Sequence, residues 1–476
     1  MRVERWSQLA IDRDQLNIKR AKEPRMEPVD IVGGGILGLV LGYELSQRGA
    51  AVRIWERAPQ PGGLMGRIEL PELGISCDRY YHAILNSDGA LMQLCAELGI
   101  TADDQRLVTT KMGFFHDGRC YGMSTPLEFL SFPPLGLFDR LRLGLTILRC
   151  RRIKDWRALE QIPVERWLRS LSGRRAVEHI WTPLLRAKFD GSFDDVPATY
   201  IWSRLVRMTD TRDSRSQKEQ MVALRGGYMT LVQRLVAAIT AAGGEIRCGA
   251  TVERLHVADG AIVGLRVDGA DLPTGQVVLT LPTPLARRLL PPEAAAADAQ
   301  WSQLERYLGI VCVLLALRRP LTPYYTLNIT DARVPFTGVI ETTNLIDPAD
   351  VGGYHLVYLP KYVAPDSAYA RMPDAELIPE FIGHLRTMFP DLTDKDIAAV
   401  RVGRERYVEP LHPLNGADRI PPIASPVHGL YLANTTQIYP TLTNGEASVR
   451  FGQQVAEVVR NGRAQQIQAA DALEVL

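Results

Sequence analysis

The chain is short of the features that settle a function by composition. Its 476 residues carry 55 lysines and arginines against 54 aspartates and glutamates, so no overall charge draws it to nucleic acid. The six cysteines include no C-x-x-C pair and are too sparse for a disulfide framework; reduced, mostly buried thiols of a cytoplasmic enzyme are expected. There is no zinc-type His/Cys/Asp spacing, no H-E-x-x-H and no G-x-S-x-G elbow, so neither a metal site nor a serine nucleophile is expected. No apolar run reaches the ~18–20 residues that span a bilayer. The longest candidate, Leu308 to Leu317, lies between Arg306 and Arg318 and reads as a buried strand. Residues 1–26 lack the apolar centre of a signal peptide and read as a polar extension. At 46% hydrophobic and 23% charged, the composition is globular, and the length calls for more than one core.

What is present is a dinucleotide-binding pattern. Val29 to Val32, interrupted only by Asp30, suit a first buried parallel strand. Gly33, Gly35 and Gly38 then fit G-x-G-x-x-G. The first glycine permits a tight turn, the second lets backbone approach a pyrophosphate, and the third lets the following helix sit close to the sheet. The N–H groups around Ile36 and Leu37 open that helix and face the phosphates; Gly49 ends it. A second strand, Ala51 to Glu56, ends in an acid about 20 residues past the glycines, where a carboxylate takes ribose hydroxyls. Strand, glycines, helix, strand and acid fall in order, which a chance glycine turn does not produce.

The residues after Glu56 separate FAD from NAD. Arg57 leads through Pro61 to Gly62-Gly63-Leu64, a second glycine turn just past the acid. This resembles the fingerprint of the flavoenzyme superfamily of amine oxidases, protoporphyrinogen oxidase, phytoene desaturases and UDP-galactopyranose mutase. The resemblance implies an α/β fold: a Rossmann-like FAD-binding domain interleaved with an α+β substrate domain of mixed sheet and helices. It also implies FAD as cofactor, with the second turn wrapping the ribityl–phosphate arm. Leu224 to Tyr228, the helix to about Ala242, a strand at Glu245-Ile246 and Gly249 to Val252 resemble the family's return segment, in which a valine placed like Val252 meets the adenine. The strand Gly429 to Asn434, then Thr443-Asn444-Gly445 opening a last helix to about Val459, resembles the segment that reaches the flavin pyrimidine edge. The family commonly has an acid where this chain has Asn434.

On this pattern the FAD-binding domain takes 27–105, 218–293 and 405–462, the substrate domain takes 106–217 and 294–404, and 463–476 form a tail. Runs at Gly309 to Leu317 and Tyr354 to Tyr358 are expected strands of the substrate-domain sheet. Residues 127–157 stand out. Phe129 to Phe138 lead into a helix carrying Arg140, Arg142, Arg149, Arg151, Arg152, Lys154 and Arg157 beside Leu141, Leu143, Leu145, Ile147 and Leu148. The plain expectation is a substrate-domain helix with one solvated basic face. The alternative is an interfacial helix touching the inner membrane surface, which would favour an isoprenoid or lipid-linked substrate.

A flavin carries its own redox chemistry, so no side chain must act as a nucleophile. Asp78 and His82, at the spacing where family members pass the isoalloxazine, are candidates to orient substrate or transfer a proton; the alternative is that they brace the loop. Lys361, between Tyr358 and Tyr362, resembles the lysine that orders water at flavin N5 in amine oxidases. Arg186 and Lys188 are candidates to hold an anionic substrate group, the plainer expectation being surface charges, and Glu341 and Asn344 are candidates to face the pocket. The leading expectation is a dehydrogenase, desaturase or oxidase that passes electrons to oxygen or a quinone. The alternatives are a sugar-mutase-type isomerase without net redox and a non-catalytic flavin-binding protein.

Overall fold

The computed structural model describes residues 29–210 and 220–461. The expected N-terminal extension, the tail and the polar crossing at Arg212 to Lys218 lie outside these residues.

A five-stranded parallel sheet organises the nucleotide-binding half. Its strands are β1 (Val29–Val32), β2 (Val52–Glu56), β3 (Glu245–Cys248), β4 (Val277–Leu279) and β5 (Leu430–Leu432), in the spatial order β3-β2-β1-β4-β5. All four residues of β1 are buried, as a central parallel strand requires. The charged member, Asp30, is fully buried and accepts bonds from Arg53 Nε at 2.8 Å, Arg53 Nη2 at 2.7 Å and Trp55 Nε1 at 2.8 Å on β2. One face packs against α1 (Ile36–Gln47) and the helices Tyr228–Ala241 and Gly445–Asn461. The other face meets an antiparallel meander, Val252–Ala258, Ala261–Val267 and Ala270–Pro273, which the sequence reading did not resolve into strands.

The second large sheet has seven strands, in the order Ile397–Pro410, Tyr307–Leu317, His355–Val363, Gly338–Glu341, Thr326–Ile329, Met112–His116 and Arg119–Gly122. The runs at Gly309 and Tyr354 thus lie in neighbouring antiparallel strands. The expected crossing at 404/405 falls inside Ile397–Pro410, which pairs with Tyr307–Leu317 as far as Pro410↔Tyr307. The helix Asp374–Met388 covers one face of this sheet; a helical cluster between Pro126 and Asp210 packs beside it. In His355–Val363, Leu356, Tyr358 and Tyr362 pack on one face, and Val357, Leu359 and Val363 on the other.

Candidate functional site: a dinucleotide cradle opening on a charged cleft

The cradle begins where β1 turns into α1. Gly33 has φ +116°, and a Cβ on Gly38 would sit 2.1 Å from the Gly33 carbonyl oxygen, so both positions demand glycine. A Cβ on Gly35 would meet nothing within 4 Å. No side chain caps α1, so the N–H groups at Ile36 and Leu37 face that open space with the positive end of the helix behind them. Glu56 closes the turn, accepting from Gly34 N and Ala58 N, each at 2.7 Å. The second glycine turn lies against the first: Gly62 N donates to Gly34 O at 2.8 Å, and a Cβ on Gly63 would be 3.2 Å from Gly35 Cα. Leu64 is half-buried behind it, and Arg57 is exposed at the rim. Val252 is brought to the same place because Ala250 N donates to Glu56 O at 3.0 Å and Gly249 N to Ala58 O at 2.9 Å. Open space at an uncapped helix N-terminus, with a carboxylate beside it, fits an adenine dinucleotide pyrophosphate.

The far end of the cradle comes from the C-terminal segment. Asn434 is buried, and its side chain is committed to the protein. Nδ2 donates to Leu281 O at 2.9 Å and Thr283 Oγ1 at 3.1 Å, and Oδ1 accepts from Thr436 N at 3.0 Å. Its fixed role is to cap a turn. Asn444 Oδ1 accepts from Ala447 N at 2.9 Å and so caps the last helix, whose first residue, Gly445, is buried near Met65 and Tyr228. Thr443 lines the adjoining cleft.

That cleft, open to solvent, includes Tyr200, Arg204, Glu409, His412, Tyr439 and Thr443 in its wall. Glu409 is its electrostatic centre. It pairs with Lys188 Nζ and with Arg204 Nη2, the latter at 2.8 Å. Against the cost of burial, these two cations hold its carboxyl down at about 2. Lys188 Nζ also lies 3.1 Å from the centre of the Tyr362 ring, and Tyr362 Oη is 3.2 Å from Tyr81 Oη. A continuous polar line therefore runs from the Asp78–His82 segment into the cleft.

Asp78 accepts from Tyr228 N at 3.2 Å and 3.3 Å and thereby braces the helix Tyr228–Ala241; burial pushes its carboxyl up to about 7. A Cβ on Gly227 would lie 2.4 Å from Asp78 Oδ1. His82 packs its ring 5.5 Å from Tyr228, burial lowers it to about 4, and its buried Nδ1 has no hydrogen-bond partner. His412 is likewise lowered by burial to about 4, with Nε2 2.7 Å from Thr436 O.

The other candidates lie as follows. Lys361 points to the sheet face away from Tyr81 and Tyr362: its Nζ donates to Pro335 O at 3.1 Å and lies 4.5 Å from the Tyr369 ring. Strand alternation puts it there. Arg186 is exposed, as a surface charge would be, and of the pair only Lys188 meets a cleft residue, Glu409. Glu341 is buried but accepts from Leu321 N and Thr322 N. Asn344 donates to Thr322 O and Tyr324 O, so both residues brace one loop. Sequence reasoning missed Tyr200, Arg204, Glu409 and His412, which carry no motif. Among the described residues no group of His, Cys, Asp and Glu is arranged to hold a metal, and no helix is long and apolar enough to cross a membrane.

A parallel Rossmann-type sheet, two stacked glycine turns and a C-terminal helix returning to them define an FAD-binding protein of the two-domain flavoenzyme type. The chain belongs to the flavin-containing amine oxidoreductase family, whose model matches residues 38–470, and FAD is the cofactor of that family. It is 26% identical over 299 residues to a Mycobacterium tuberculosis protein provisionally named a flavin-containing monoamine oxidase, a match spanning 58% of this chain and 62% of that one. Among solved structures, an Exiguobacterium protein provisionally named protoporphyrinogen oxidase superimposes with TM-score 0.71 at 18% identity, covering 92% of this chain and 99% of the other. Reduced UDP-galactopyranose mutase gives 0.70 at 15% identity, covering 94% and 98%. At these identities the two structures speak for the fold alone.

Proposed function

We propose that the protein is an FAD-dependent dehydrogenase, desaturase or oxidase that removes a hydride from an organic substrate bearing an anionic group. An isoprenoid or lipid-linked molecule is the favoured class, with oxygen or a quinone as electron acceptor and the inner membrane surface as the place of work. One observation carries the substrate reading: Lys188 and Arg204 converge on the single carboxylate of Glu409 at the cleft, leaving, among the described residues, one positive charge in excess where burial makes it costly. A substrate anion would relieve that excess. When bound, FAD supplies the hydride acceptor. The chain supplies orientation: Lys188 and Arg204, both paired with Glu409 in the cleft wall, would hold the anion. Anaerobic mixing of the FAD-loaded protein with prenyl phosphates, lipid-linked anions and amines should bleach the flavin with an anionic donor. Lys188→Met should raise KM for that donor about tenfold or more, with flavin content unchanged. Failure of every donor class to bleach the flavin would sink the redox reading.

The same excess charge also suits a nucleotide diphosphate, which keeps the mutase-type isomerase as the second reading. It requires activity that appears only after reduction with dithionite and consumes no electrons.

A further inference from the structure

Six of the eight large hydrophobic side chains that the described residues expose lie between Leu130 and Leu148; Leu107 and Val263 are the other two. Five of the six are on the helix Leu137–Cys150: Leu137, Phe138, Leu141, Leu145 and Leu148, exposed by 62%, 76%, 54%, 53% and 57%. At 3.6 residues per turn they fall within an arc of about 100°. Leu143, Thr146 and Cys150 are buried on the opposite side. The helix therefore has two apolar faces, and among the described residues protein covers only one.

The charge around the open face is of one sign. From Leu137 to Arg157 there are seven arginines and lysines against Asp139 and Asp155. Arg142 and Arg149 border the exposed arc on one side and Arg140 on the other. The guanidinium groups of Arg140 and Arg142 rest on backbone carbonyls, those of Leu135, Leu171 and Ser170 among them, which hold them in place without neutralising them. Arg149, Arg152 and Lys154 are exposed at the end of the helix. A face of this charge would repel a second copy of itself, whereas apolar tips rimmed by fixed cations complement an anionic lipid surface.

We infer that the helix Leu137–Cys150 docks on an anionic bilayer, with its leucines and Phe138 below the headgroups and its arginines at their level. The helix packs on Thr199–Asp210, to which Trp202 Nε1 ties it by a 3.0 Å bond to Cys150 O. That second helix lends Thr199, Tyr200, Ser203 and Arg204 to the cleft wall. The docking face thus stands one helix away from the cleft, as a substrate drawn from lipid would need. This last point rests on the proposed function; the docking does not.

The test is sedimentation of the full-length, FAD-loaded protein with vesicles. Wild type should pellet with phosphatidylcholine vesicles containing phosphatidylglycerol, release at high salt, and stay in solution with phosphatidylcholine alone. Leu141→Ser/Leu145→Ser/Leu148→Ser should bind about a hundredfold more weakly. Arg149→Ser/Arg152→Ser should bind more weakly with a shallower salt dependence. Unchanged flavin absorbance in the variants establishes that they fold. The inference is overturned if wild type stays in solution with anionic vesicles, if the leucine variant pellets as wild type does, or if wild type is a dimer that the leucine substitutions dissociate. None of these readings depends on turnover, so loss of the substrate proposal and loss of the docking inference remain separable.

Discussion

At the scale of single residues, burial decides what each polar group can do. Asp30 sits in the middle of a parallel sheet only because Arg53 and Trp55 on the neighbouring strand satisfy both of its oxygens. Asp78 bonds the first backbone N–H of a helix, yet desolvation outweighs those bonds and raises it to about 7. A carboxyl whose folded value lies above its unfolded value contributes stability that is complete below about 4 and is lost as pH rises through the folded value. Asp78→Asn keeps an acceptor for Tyr228 N and cannot ionise. The variant should therefore gain stability relative to wild type as pH climbs from about 4 to about 7, with no further divergence above that. Urea denaturation across this range checks it, and parallel profiles would show that Asp78 is not desolvated. His82 and His412 act with the opposite sign. Held neutral by burial, they cost stability as pH falls from their ordinary range towards about 4.

At the scale of elements, periodicity explains both the successes and the errors. A period of two places Tyr358 and Tyr362 on one face of their strand and Lys361 on the other. The local sequence gives that alternation, but which face borders the cleft depends on the neighbouring strands. The final helix shows the value of an end group. Asn444 satisfies Ala447 N, leaving the terminus aimed past Gly445 towards the second glycine turn at Met65. Asn444→Ala should cost about 1 kcal/mol by chemical denaturation. It should weaken FAD binding as well, since the family resemblance places this terminus at the flavin. Weaker folding with unaltered FAD affinity would separate the helix end from the cofactor.

At the scale of the whole molecule, the cradle joins three chain segments: Gly33 to Leu64, Gly249 to Val252, and Asn434 to Gly445. A ligand spanning them stabilises only the assembled state. FAD at a hundredfold excess over its Kd should raise unfolding stability by about 2.7 kcal/mol. Adenosine monophosphate, which reaches only the Glu56 end, should need a far higher concentration for the same shift. Thermal denaturation of the flavin-free protein with each nucleotide distinguishes the two, and equal effects would contradict a cofactor that bridges the segments.

The dinucleotide cradle was legible because its parts are consecutive: β1, the glycine turn, α1, β2 and Glu56 make one local unit, whose glycine positions follow from backbone geometry alone. The second glycine turn and the two strands at Gly309 and Tyr354 were readable for the same reason. The cleft was not. Tyr81, Lys188, Arg204, Tyr362 and Glu409 are scattered over more than three hundred positions and carry no common motif. Sheet pairing placed Glu409 opposite Leu308, and helix packing brought Lys188 and Arg204 to its two oxygens. Sequence determined where the backbone must be glycine and where apolar residues must be buried, because those are local steric and hydrophobic demands. Only the tertiary structure decided which charges meet, because a buried ion pair depends on distances that neighbours in sequence do not set.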